Sequence, residues 1–238
     1  MIEVQSYLEE IQQASREQRK LLSVLIDPDK FEENRALDFF QKLPEKTTHV
    51  FVGGSTVEEG RTCEVVKAIK NLINLPVLLF PGDHSQISAY ADVLLFLSLI
   101  SGRNPEFLIE QQVRSVEKIR NTDLEIIPTG YILIDGGKET SVEKVSNTKP
   151  LDKDNIIQIV NTALAGQYSG KKLIYLESGS GAKFPVSADI IRSVRSVLDI
   201  PLIVGGGIRS KSQLQEAYDA GADLVVIGTA FENGSFQS

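Results

Sequence analysis

Short runs dominated by valine, isoleucine and leucine recur along the chain at 21–26, 49–53, 76–80, 91–98, 125–133, 171–176, 201–205 and 222–228. Strands that are apolar at every position are buried on both faces, as in a parallel sheet. Between most of them the pattern changes to helical spacing, which predicts helices over 33–42, 57–72, 105–120, 153–168, 187–198 and 210–220. Residues 2–19 read as an amphipathic helix, with Val4, Leu8 and Ile11 on one face and Gln5, Glu9 and Gln12 on the other. Eight strands alternating with helices indicate an α/β fold, and the count favours a closed (β/α)8 barrel over an open sheet. The length of 238 residues suits such a barrel, and no linker-like stretch divides it, so residues 1–238 are expected to form one domain.

Two interruptions break the alternation. Only about ten residues, Pro81 to Tyr90, separate the third strand from the fourth. That is too few for a crossover helix, so the third helix is expected to be replaced by a loop. The chain also stops shortly after the eighth strand, leaving a short or missing last helix. The N-terminal helix is then free to cover that side or the bottom of the barrel. The polar segment Asp135 to Pro150 reads either as a lid or as a solvated insertion.

Charge and cysteine content narrow the setting. A formal charge of −7 argues against nucleic acid as a partner. The single Cys63 excludes an internal disulfide framework and, with no signal-like N-terminus or bilayer-length apolar run, points to a cytoplasmic protein. The amphipathic 2–19 helix leaves open a peripheral membrane contact, although an ordinary packing face explains it as well.

Chemistry in a barrel gathers at the C-terminal strand ends. Strands seven and eight stop at Gly205-Gly206-Gly207 and at Gly228-Thr229, whose bare backbone suits a phosphate cradle. Asp27 ends strand one and Ser55 ends strand two, a carboxylate and a hydroxyl that suit Mg²⁺ held together with substrate phosphates. The same two residues also read as a turn cap and as an N-cap for the following helix. Glu177 precedes the small-residue loop Ser178-Gly179-Ser180-Gly181 and is placed to accept a proton from a substrate hydroxyl, with Tyr175 two residues earlier on the same strand face. His84 reads as a solvated loop histidine and His49 as structural, so a nucleophile–histidine scheme finds no support. Strand five is expected to end at Pro128-Thr129-Gly130, which offers no carboxylate.

Taken together, Asp27-Pro28-Asp29-Lys30, Val52-Gly53-Gly54-Ser55-Thr56, Phe80-Pro81-Gly82, Tyr175 to Ala182, Gly205 to Arg209 and Gly228-Thr229 resemble the geranylgeranylglyceryl phosphate synthase family, from about residue 20 to 232. The strand-six segment carries most of the specificity, because the two glycine ends fit many phosphate-binding barrels. The resemblance implies a modified barrel lacking the third helix. It also implies transfer of a prenyl group, geranylgeranyl first among candidates, from a polyprenyl diphosphate to the C3 hydroxyl of sn-glycerol 1-phosphate. By the same resemblance, Asp27 and Ser55 hold Mg²⁺, and glycerol phosphate binds at Tyr175, Leu176, Glu177, Ser178, Gly179, Ser180, Gly181, Gly206, Gly207, Gly228 and Thr229. A homo-oligomer, a dimer or multiple of dimers, is implied as well. The tail is expected in the gap left by the third helix, against Phe80, Phe96 and Ile100. The competing readings are another phosphate-binding barrel enzyme, an isomerase or lyase, and a non-catalytic glycerol-phosphate-binding barrel.

Overall fold

The computed structural model describes residues 6–236. Eight parallel strands, β1 (Leu21–Ile26), β2 (Thr47–Val52), β3 (Val77–Leu79), β4 (Val93–Leu99), β5 (Glu125–Leu133), β6 (Leu173–Glu177), β7 (Leu202–Gly205) and β8 (Leu224–Ile227), pair in sequence order. The sheet closes where Leu21 to Val24 of β1 meet Leu224 to Ile227 of β8. Every strand lies within a few residues of the run that predicted it.

Alternation sorts the side chains into layers. Phe51, Leu95, Ile127, Tyr131, Tyr175 and Ile203 fill the barrel, while Val50, Leu94, Leu176 and Val204 face the helices outside. The helices are α1 (Tyr7–Arg16), α2 (Ala36–Gln41), α3 (Arg61–Leu72), α4 (Gln111–Ile119), α5 (Ser141–Ser146), α6 (Ile156–Tyr168), α7 (Ala188–Arg195), α8 (Lys211–Asp219) and α9 (Thr229–Glu232). As the loop length required, no helix lies between β3 and β4. The last helix, α9, spans only four residues.

The N-terminal helix closes the bottom of the barrel. Ile11 and Ala14 of α1 are fully buried among the inward side chains. Glu125, at the start of β5, accepts from Ser6 Oγ at 2.6 Å, Tyr7 N at 2.7 Å and Leu8 N at 3.0 Å. This carboxylate satisfies free N–H groups at the positive end of the helix and fixes it to the barrel. The apolar face of the described helix is thus a packing face; Val4 and Gln5 lie outside the described residues. No helix among those described is long and apolar enough to cross a membrane.

The segment 135–150 is a wall of the site, held at both ends. Gly136 O accepts from Lys183 N at 2.9 Å and Phe184 N at 3.1 Å. Helix α5 starts with a reciprocal cap, Thr140 N to Glu143 Oε2 at 2.7 Å and Glu143 N to Thr140 Oγ1 at 3.2 Å. Strand β5 runs on to Leu133, beyond the end expected at Pro128 to Gly130. Its cavity-facing residue is therefore Tyr131, and its C-terminal carboxylate, Asp135, is exposed and caps a turn through Gly137 N at 2.8 Å.

Candidate active site

One cavity of about 390 Å³ opens at the C-terminal strand ends, within the size range of ligand sites. Of the residues expected at the site, Asp27, Ser55, Tyr175, Glu177, Ser180, Gly181, Gly206, Gly207, Gly228 and Thr229 all line it. Leu176 does not. Strand alternation turns its side chain outward into the helix-covered core, fully buried beside Val204. Ser178 is buried off the cavity, its hydroxyl without a partner, and Gly179 contributes backbone alone.

Glu177 is the electrostatic centre. It is 6% exposed, and burial pushes its carboxyl up from 4.5 to about 7, against the opposing effects of the Gly179 N–H and the Tyr175 hydroxyl. Gly179 N donates to Glu177 Oε1 at 2.7 Å, made possible by the left-handed backbone of Gly179, φ +95°. The Tyr175 hydroxyl lies by the same carboxylate without a well-formed hydrogen bond of its own. Phe80 and Tyr131 pack round the Tyr175 ring, with centroids 5.1 and 5.5 Å away, and complete the dry floor beneath the acid.

The glycines of β7 follow from this acid. A Cβ on Gly206 would run into Glu177 Oε1, and φ there is +82°. Glycine is therefore required twice over, by contact and by backbone. The cradle is closed from a third side by Ser180 Oγ, 2.8 Å from Thr229 Oγ1, which ties the strand-six loop to the end of β8. Arg209 crosses the rim and donates to the carbonyls of Ala182 and Lys183.

At the opposite side, Asp27 and the Ser55 loop meet. A Cβ on Gly54 would lie 3.2 Å from Asp27 Oδ1. Asp27 does cap a turn, accepting from Asp29 N at 3.2 Å, but its other oxygen pairs with Lys30 Nζ at 2.7 Å. Ser55 is no N-cap, because α3 starts later, after Gly60. Glu232 Oε1 accepts from Asp27 N at 3.0 Å and its other oxygen is 3.7 Å from Lys30. Burial raises the Glu232 carboxyl pKa. Sequence reading missed both Lys30 and Glu232 as site residues. Lys30 stood inside a quoted motif; Glu232 is brought near it only by barrel closure.

The cavity then spreads toward the missing helix. Leu94 and Phe96, on the outer face of β4, line it together with Ile87, Phe107, Gln112 and Ser115. Phe107 lies in a π-helical turn, Glu106–Glu110, leading into α4. Phe80 and Phe96 are where the sequence reading put them, but Ile100 is not. Its Cδ1 fills the space over Gly130 and Gly166, between β5 and α6, away from the cavity. His84 also departs from expectation: it lines the cavity, half-buried, with its N and Nδ1 on Gln111 Oε1 at 2.8 and 2.9 Å.

Known proteins match this chain over nearly all its length. The geranylgeranylglyceryl phosphate synthase of Zunongwangia profunda is 58% identical over 230 residues, 97% of this chain and 98% of the relative. The enzyme of that name from Pyrococcus abyssi is 44% identical, over 90% of this chain and 85% of its own. The crystal structure of (S)-3-O-geranylgeranylglyceryl phosphate synthase from Thermoplasma acidophilum, in complex with sn-glycerol-1-phosphate, superposes with a TM-score of 0.87 at 33% identity, covering 96% of this chain and 92% of that one. The model of the PcrB family matches residues 13–237, and the chain belongs to that family.

Proposed function

We propose that this protein joins a geranylgeranyl group from its diphosphate to the C3 hydroxyl of sn-glycerol 1-phosphate, forming an ether and releasing diphosphate. The observation that carries this reading is Glu177, a buried carboxyl set between a glycine cradle and an apolar cavity. The names of the relatives and the glycerol phosphate in the Thermoplasma complex support the same reading.

In this reading the backbone of Gly206, Gly207, Gly228 and Thr229 holds the glycerol phosphate. Binding energy spent there orients the C3 hydroxyl toward Glu177. A carboxyl held near 7 is well matched to take that proton at neutral pH. The hydroxyl oxygen attacks the allylic carbon, the carbon–oxygen bond to diphosphate breaks, and the proton goes to Glu177. The phenyl and phenol rings beneath exclude water from the same spot. The prenyl tail runs past Phe80 and Phe96 into the gap between β4 and α4.

The donor set at the other side fits a divalent ion. Asp27 and Ser55 supply two hard oxygens, too few for calcium but suited to Mg²⁺ that also takes diphosphate oxygens. Bound there, Mg²⁺ would neutralise the charge of the departing diphosphate. Lys30 already contributes a positive charge at Asp27. Assembly into a homo-oligomer belongs to the same proposal, supported by the exposed stripe Ile109, Val113 and Val116 along α4 and the turn before it. A cytoplasmic location is proposed with it.

Incubating the protein and Mg²⁺ with labelled sn-glycerol 1-phosphate and geranylgeranyl diphosphate should move label into an organic-extractable ether phosphate. The 3-phosphate enantiomer should give none. Phosphate binding without transfer from any prenyl donor would instead favour a non-catalytic barrel.

A further inference from the structure

The loop that replaces the third helix encloses two polar side chains, Gln86 and Ser88, each 2% exposed; of these, Gln86 reaches two strand ends. Its Oε1 accepts from Gly82 N at 3.1 Å and from Gly54 N at 3.4 Å. Both partners are N–H donors, so the amide must present its oxygen to them, which fixes its orientation. Gly82 follows β3 and Gly54 follows β2, so a single oxygen bridges two strand ends. The two loops touch closely: a Cβ on Gly82 would lie 2.7 Å from Ser55 O and would also strike Gly54 O. Gly54 in turn abuts the Asp27 carboxylate.

We propose that Gln86 is a positioning residue that locks the Gly54–Ser55 turn against the β3 loop and so holds the Ser55 hydroxyl beside Asp27 for the Mg²⁺–diphosphate end of the substrate. This inference rests on the assignment of Asp27 and Ser55 to that end of the site. Without Gln86, two part-buried backbone N–H groups would lose the acceptor they share, and the turn would shift to find others. The glycerol-phosphate cradle belongs to β6, β7 and β8, and no hydrogen bond of the Gln86 side chain reaches it. The effect should therefore be confined to one half of the site. The Gln86 amide nitrogen is buried without a partner, so the oxygen alone ties the two loops.

The test is ligand-induced thermal stabilisation of the full chain, read without catalysis. Mg²⁺ with inorganic pyrophosphate, and sn-glycerol 1-phosphate alone, are titrated against wild type, Gln86→Leu and Asp27→Asn. In Gln86→Leu the midpoint for Mg²⁺–pyrophosphate should rise at least tenfold while that for glycerol phosphate stays within about twofold. If Gln86→Leu does not fold, Gln86→Asn, one methylene too short to span both loops, carries the same expectation. An unchanged pyrophosphate midpoint in Gln86→Leu, with Asp27→Asn impaired, overturns the role of Gln86 and leaves the metal assignment standing. Equal losses for both ligands would make Gln86 merely structural and also overturn it. An Asp27→Asn protein that responds like wild type would overturn the metal assignment and this inference with it.

Discussion

Replacing Glu177 by glutamine should make the protein both inactive and, at alkaline pH, more stable. The carboxyl titrates near 7 in the fold against 4.5 as its ordinary value. The folded state therefore keeps a proton that the unfolded chain releases, and stability falls as pH rises through this window. It is fully present below 4.5 and has been lost by the time the pH passes about 7. The difference corresponds to about 3 kcal/mol favouring the neutral acid. Glutamine stays neutral throughout, fits the same space and still accepts from Gly179 N. Urea unfolding at pH 5 and 8.5 should show the two proteins close together at the lower pH. At the higher pH the variant should lead by up to about 3 kcal/mol, or roughly 6–12 °C in Tm. Its kcat/KM should fall by about 10²–10⁴, and the wild-type acid limb near pH 7 should disappear with it. A variant no more stable than wild type at pH 8.5, or one that keeps its turnover, would refute the argument that an ionising buried acid does the work.

Three other perturbations test separate parts of the structure. His49, 1% exposed inside the barrel floor, is held at about 4 by burial and by Arg19, so its neutral form stabilises the fold. That stability, about 3 kcal/mol, should drain away as pH falls from 6.5 toward 4, and His49→Gln should flatten this limb in pH-dependent unfolding. Gly206→Ala forces a Cβ onto Glu177 at a left-handed position. It should cost about 1–3 kcal/mol of stability and weaken glycerol-phosphate binding at least tenfold by calorimetry. Phe96→Ala lengthens the apolar arm of the cavity; the ratio of kcat/KM for longer over shorter prenyl diphosphates should rise in competition assays.

The elements that local pattern controls were legible in the sequence. Val/Ile/Leu-rich runs marked all eight strands, and the brevity of 81–90 left no room for a third helix. Glu177 stood out because glycines follow it where a ligand needs room. Other features were legible but went unread: alternation along β6 already turns Leu176 away from Tyr175 and Glu177, and Thr140 with Glu143 spells the cap of α5. What was not legible depends on closure. Asp27 and Glu232 lie 205 residues apart, and only the β8–β1 seam makes them partners. Gln86 and Gln111 look like ordinary loop and helix polars until the loop over the gap packs them against Gly54, Gly82 and His84.

The central claim is that one acid, Glu177, receives the proton of a hydroxyl delivered by the glycine cradle. A crystal structure with sn-glycerol 1-phosphate bound tests it most directly. The account predicts the phosphate on the backbone of Gly206, Gly207, Gly228 and Thr229, and the C3 hydroxyl within hydrogen-bond reach of the Glu177 carboxylate. A phosphate seated elsewhere, or a C3 hydroxyl turned away from Glu177 toward another base, would contradict it.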